Sequence, residues 1–322
     1  MARRPRRGIA NRLILVTLGS AMLVASCAPG AEPFPVATTR AGTEPVASRP
    51  STTITAPPST TSTTTLAGEA TTTTSAATTT TGSDTASSPP LPDIGLEILV
   101  PEGKGPFPAV VLVHGGGWVA GSPALMADLA RFLSDRGYLT VNTPYTLAGE
   151  VPGFPVAVDD VACAVRYAAA QPEADGTVAV LGHSAGAHLS ALVALDDGEY
   201  GEDCPLETPV IPKRLVGLAG PYDVARLGPL MLPFFGTSPT EDPAAWGAGN
   251  PMYQVEKNPG LSSLLLHGEE DGFVDLSFAE DFAAALTDAG SEALVEVVEG
   301  ASHNDMHDPV YVGDLVVTWL DR

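Results

Sequence analysis

Gly182-His183-Ser184-Ala185-Gly186 sets a serine hydroxyl between two glycines, one on each side at a spacing of two. A hydroxyl is a weak nucleophile until a base takes its proton, and it must also project from the chain to reach a substrate. A sharp turn from a strand into a helix achieves the projection, provided the flanking residues have no side chain to clash with backbone passing close by. Residues 178–181 are β-rich and residues 187–195 are helical in pattern, so the serine falls where such a turn belongs. The helix N-terminus that follows carries unpaired N–H groups toward the same spot.

His114-Gly115-Gly116-Gly117-Trp118 follows another short apolar run, 109–113. Acyl transfer builds negative charge on a carbonyl oxygen, and backbone N–H groups must already point at it. Residues without side chains allow that approach. Gly116 and Gly117 are the expected donors, with the N–H of Ala185 as a third, each worth about 3 kcal/mol in the transition state. Gly115 is assigned to the turn.

The base that activates the serine should lie late in the chain, after the last strand. His303, in Gly300-Ala301-Ser302-His303, fits; His307 competes but is expected at the surface near the start of the final helix. An acid that orients the base should follow a strand between the two. Asp271, in His267-Gly268-Glu269-Glu270-Asp271-Gly272-Phe273-Val274, is the choice by chain order, with Glu269, Glu270, Asp275 and Asp223 as alternatives. His183 should line the pocket, His188 should be packed in the helix after the serine, and His267 should brace the acid loop. No H-E-x-x-H or C-x-x-C pattern is present to support zinc binding by these histidines, so no metal is expected.

Positioning these residues requires strands that end side by side. Short apolar runs at 109–113, 139–142, 178–181, 215–219, 261–266 and 293–298 suit strands buried on both faces. Helical patterns lie between them at 156–170, 187–195, around Phe278, Phe282 and Leu286, and at 309–321. This alternation predicts an α/β fold with a mostly parallel sheet covered on both sides. Residues 222–257, rich in proline and aromatics, are expected to form a lid or pocket wall.

The 322 residues divide into three parts. Residues 1–27 combine five arginines with an apolar run and end in Val24-Ala25-Ser26-Cys27, which reads as an export signal with a lipidated Cys27. Residues 28–90, rich in Thr, Ser, Ala and Pro, hold too little bulky apolar surface to offset chain entropy and read as a disordered stalk. Residues 91–322 suffice for one domain. Without the signal, 11 basic residues face 38 acidic ones, a formal charge of −27 that disfavours nucleic acid and other polyanions. The localisation expected is an exported lipoprotein held to a membrane by its anchor, or secreted. Cys163 and Cys204 then form an even pair in an oxidising compartment, and a disulfide between them is expected.

Taken together, the four motif segments resemble the α/β-hydrolase carboxylesterases, and are similar to the BD-FAE-like esterases and the α/β-hydrolase fold-3 enzymes. Gly220-Pro221-Tyr222-Asp223 and Asn250-Pro251 resemble further landmarks of that group. The likeness spans about residues 95–322. It implies a cofactor-free serine esterase whose triad is Ser184, Asp271 and His303. Fold-3 enzymes carry a helical cap ahead of the H-G-G-G segment, and only about 20 ordered residues are expected there in this chain. That departure favours an open site for small or polymer-attached acyl groups over long acyl chains. Amide or peptide cleavage shares the same triad, and an inactive binding protein on the same fold is the reading of another class.

Overall fold

The computed structural model describes residues 95–149 and 151–322. The expected export signal (residues 1–27, with Cys27) and the expected stalk (residues 28–90) lie outside the described residues. Seven strands form one sheet: β1 (Glu97–Leu99), β2 (Phe107–Val113), β3 (Leu139–Thr143), β4 (Ala174–His183), β5 (Arg214–Leu218), β6 (Ser262–Gly268) and β7 (Glu292–Val298). Their spatial order is β1-β3-β2-β4-β5-β6-β7, and only the edge strand β1 runs antiparallel. The helices are α1 (Ala127–Ser134), α2 (Val156–Ala169), α3 (Ala185–Leu195), α4 (Leu232–Phe235), α5 (Pro243–Ala248), α6 (Ser277–Asp288) and α7 (Pro309–Leu320).

Strand β2 shows why its sequence is apolar without alternation. Ala109, Val111 and Val113 pack with α2, α3 and α6 on one face, while Val110 and Leu112 pack with α1 and α7 on the other. Successive side chains point to opposite faces, so a strand covered twice must be apolar throughout. The six expected strands all form, with their ends moved by up to four residues. Strand β1, helix α1 and the 3₁₀ turn Pro123–Met126 are additions. Each is short, although α1 buries an apolar stripe of Leu129 and Leu133 four residues apart.

The proline-rich stretch forms short pieces: 3₁₀ turns at Val224–Met231 and Pro251–Tyr253, with α4 and α5 between them. Met231, Phe234, Phe235 and Trp246 anchor it to the core beside α2 and α3. Asp223 accepts a hydrogen bond from Asn250 Nδ2 at 2.9 Å, which ties the two ends of this segment together.

Cys163 on α2 is disulfide-bonded to Cys204, with their Cα atoms 5.4 Å apart. Next to it, the buried Arg166 guanidinium donates to the carbonyls of Tyr200, Gly201 and Leu206. The bridge and the arginine together pin the loop that precedes β5. Because the cysteines are 41 residues apart, the bridge removes considerable freedom from the unfolded chain. Replacing both by alanine should lower stability to urea by about 2–4 kcal/mol. Equal urea midpoints for the two proteins would contradict this.

Candidate active site

Ser184 follows directly on β4 and precedes α3, with φ 53° and ψ −119°. Non-glycine residues rarely adopt this conformation, and it persists only where the surroundings hold it. The flanking glycines explain how. A Cβ on Gly182 would lie 2.2 Å from the Gly186 carbonyl oxygen, and one on Gly186 would lie 2.2 Å from that of Val113. The Ser184 N–H donates to Leu218 O of β5 at 2.8 Å, fixing the turn against the neighbouring strand.

His303 and Asp271, the expected base and acid, follow β7 and β6. His303 opens a 3₁₀ turn, His303–His307, capped by Ser302 and Asp305. Asp271 lies in the loop after β6. The two loops are flush: Glu269 N–H donates to Val298 O and Glu270 N–H to Ala301 O. A Cβ on Gly268 would come 2.3 Å from Ala301 O, so only glycine permits the approach. The Ser184 hydroxyl donates to His303 Nε2 at 2.9 Å. His303 Nδ1–H donates to Asp271 Oδ2 at 2.8 Å. Asp271 Oδ1 accepts the N–H groups of Phe273 and Val274. Burial alone would raise the Asp271 pKa, but these N–H groups and His303 together hold it below the usual carboxylate range. The carboxylate is therefore ionised.

Of the alternative acids, Glu270 is exposed and makes no side-chain bond to His303, and the other three are engaged elsewhere. Glu269 accepts from Gly300 N–H at 3.0 Å, Asp275 caps α6 at Ser277, and Asp223 holds Asn250.

In the glycine loop, Val119 and Ala120 both donate to the Gly116 carbonyl. Among the described residues the N–H groups of Gly116 and Gly117 have no protein acceptor. Gly116 (φ 131°) and Gly117 (φ 61°) have positive φ, and a Cβ on Gly116 would fall 2.0 Å from Ala120 O. Gly115 packs against the serine turn, where a Cβ would meet His183 Nδ1 at 2.6 Å. Ala185, wholly buried, supplies the first N–H of α3.

These elements enclose a cleft of about 360 Å³. Gly115, Gly116, Gly117, Ser184 and His303 line it, with Trp118, Leu125, Leu227, Leu230 and Phe273 as apolar walls. The lid segment contributes Leu227 and Leu230, and Phe273 stands 81 % exposed at the rim.

The remaining histidines divide as follows. His183 lines the cleft and donates from Nε2 to His303 O at 2.9 Å. His188 is packed inside α3, and His267 Nε2–H holds Val274 O of the acid loop at 2.9 Å. His307, expected at the surface, is half-buried and lines the cleft, its ring 5.1 Å from that of His183. The 3₁₀ turn His303–His307 accounts for the difference, because it folds these residues back against the cleft: Met306, one turn after His303, is fully buried, and His307 beside it packs on His183. Asn304, in the same turn, is a further wall residue that the sequence did not single out. Among the described residues the only trio spaced for a metal ion is Asp196, Asp197 and Glu199, none of which lines the cleft.

Residues 96–286 match the BD-FAE family model, and the chain belongs to that family. It is 26% identical over 249 residues to a protein of Oryza sativa subsp. japonica named probable isoprenylcysteine alpha-carbonyl methylesterase ICME, covering 68% of this chain and 57% of that one. It is 31% identical over 228 residues to esterase LipC of Mycobacterium tuberculosis, covering 65% and 56%. The chain thus spans little more than half the length of these curated relatives. A truncated carbohydrate esterase from gut microbiota superimposes with a TM-score of 0.61 at 23% identity, covering 70% of this chain and 90% of that one. That likeness establishes the α/β-hydrolase fold.

Burial lowers the pKa of His183 to about 3 and that of His188 to about 4. Both stay neutral in the folded protein while the unfolded chain takes up protons near pH 6.5, so stability falls as pH drops below 6.5 and levels off near the folded values. Each should cost about 2 kcal/mol between pH 7 and pH 5. Urea unfolding at the two pH values tests this: His188→Asn should lose about 2 kcal/mol less than the unmodified protein. Equal losses would refute it.

Proposed function

We propose that this chain is a serine hydrolase that cleaves carboxylic esters of short acyl groups through an acyl-enzyme. The observation that carries the reading is the unbroken relay from Ser184 Oγ to His303 Nε2 and from His303 Nδ1 to Asp271, at 2.9 and 2.8 Å. Ser184 attacks the ester carbonyl as His303 takes its proton. The ionised Asp271 holds the imidazole in the tautomer that accepts this proton, and it stabilises the imidazolium that results. The oxyanion develops against the N–H groups of Gly116, Gly117 and Ala185. His303 then protonates the departing alkoxide, and water repeats the sequence to release the acid. No step requires a cofactor.

The size of the cleft supports short acyl groups. Its volume of about 360 Å³ lies near the lower end for small-molecule sites, and Trp118 and Leu125 stand among its walls. A long acyl chain would have to lie along the exposed rim. The esters could be free or attached to a polymer, since the cleft is open at Leu230 and Phe273.

Nitrophenyl esters of increasing chain length, with a nitroanilide control, test the reaction. Turnover should peak at acetate to butyrate, and Ser184→Ala should lower kcat at least 10⁴-fold and abolish labelling by a fluorophosphonate. A folded protein that neither labels nor turns over esters would instead be a binding protein. Faster anilide than ester cleavage would make it an amidase.

Localisation is proposed separately, from residues 1–90 of the sequence. Cys27 carries the lipid and the stalk holds the hydrolase off the membrane surface. Cys27→Ser should shift the protein from the membrane pellet to the soluble fraction on ultracentrifugation. Unchanged membrane retention would remove the anchor and leave the hydrolase reading intact.

A further inference from the structure

Behind the glycine loop lies an imidazole that the acyl transfer does not use. His188 is wholly buried. Trp118 Nε1–H donates to His188 Nδ1 at 3.1 Å, and His188 Nε2–H donates to Gly249 O at 2.9 Å. The indole N–H can only donate and the carbonyl can only accept, so both bonds require the neutral tautomer protonated on Nε2. A side chain with one acceptor and one donor is thus fully satisfied between fixed partners.

The three partners come from three different parts of the site. Trp118 follows Gly117 directly and has φ 65°, a conformation unfavourable for a bulky residue unless its surroundings hold it. His188 lies one turn along α3 from the serine, and its own N–H donates to Ser184 O at 3.2 Å. Gly249 precedes Asn250, the buried lid residue held by Asp223. Phe234 closes the cluster, its ring 5.5 Å from His188 and 5.8 Å from Trp118. The serine turn, the glycine loop and the lid segment therefore meet on one imidazole.

We propose that His188 is a positioning residue that sets the oxyanion donors. Through Trp118 it holds the peptides of Gly116 and Gly117 in their left-handed conformation, while its bond to Gly249 O fixes the tautomer that leaves Nδ1 free to accept the indole N–H. This rests on the serine-hydrolase reading. A small rotation of the Trp118 backbone would swing the adjacent N–H groups away from the developing oxyanion. The substrate carbonyl gains most from those donors in the transition state, so the loss falls on kcat rather than on KM.

The two bonds can be removed one at a time. His188→Asn puts an acceptor near the Nδ1 position and can still receive the indole N–H. His188→Gln keeps a donor near the Nε2 position but offers Trp118 no acceptor. With nitrophenyl acetate, His188→Gln should lower kcat about 10- to 100-fold with KM changed less than twofold, on the scale of one displaced oxyanion donor. His188→Asn should recover most of that loss. Trp118→Phe, which deletes the indole N–H, should lower kcat to a similar extent, and adding His188→Gln to it should cost little more, because both act through the same bond.

Equal kcat losses in His188→Asn and His188→Gln, or an effect confined to KM, would overturn the proposal. So would additive losses in the double variant. If His188→Gln does not fold, Trp118→Phe alone decides: an unchanged kcat refutes the relay. An unmodified protein that fails to label with fluorophosphonate defeats the hydrolase reading itself. Normal labelling and turnover in His188→Gln defeats only the relay.

Discussion

The backbone of Ser184 is the constraint on which the site depends. At φ 53° and ψ −119° it lies where an L-residue carries strain of order 1–3 kcal/mol, and only rigid neighbours can hold it there. Those neighbours are backbone. Gly182 and Gly186 let carbonyl groups come within a distance no Cβ would allow, and Leu218 O takes the Ser184 N–H. The strain turns the hydroxyl out of the sheet and starts α3 at once, so the Ser184 hydroxyl and the first N–H of α3 come from adjacent residues. Gly115 then packs against the same turn and brings the glycine loop alongside.

Around that turn the protein uses imidazoles in two ways. His303 is held by one ionised carboxylate and one hydroxyl, an arrangement suited to moving a proton. His183 and His188 are buried so deeply that their charged forms are disfavoured. Each is fixed by a backbone carbonyl, of His303 and of Gly249 respectively. They act as rigid hydrogen-bonding struts. In a chain with 38 acidic residues, excluding carboxylates other than Asp271 from direct contact with the base keeps the relay specific. The loop geometry achieves this by engaging Glu269 and Asp275 with backbone N–H groups.

Much of this was legible from the residues alone, and the exceptions have physical causes. Strands β2, β4, β5 and β6 were visible because strands covered on both faces carry apolar runs, whereas the edge strand β7, half-exposed along its length, showed through its β-branched residues. The edge strand β1 was not, because three residues exposed to half-exposed carry almost no pattern. His307 was placed at the surface because residues 303–307 gave no helical signal of their own. The turn there is set by the Ser302–Asp305 cap and by packing beneath His183. Trp118 and His188 are 70 residues apart, and no local signal couples them.

The order of the motifs, the glycines that make the serine turn and the doubly buried strands are properties of the sequence by itself. They follow from steric and hydrophobic rules that act over a few residues. Which carboxylate meets His303, which histidine faces Ser184, and what stands behind the glycine loop were decided by the tertiary structure. Those outcomes depend on hydrogen bonds that fail beyond a few tenths of an ångström. Only the parallel register of β4, β5, β6 and β7 brings residues 184, 271 and 303 within that tolerance.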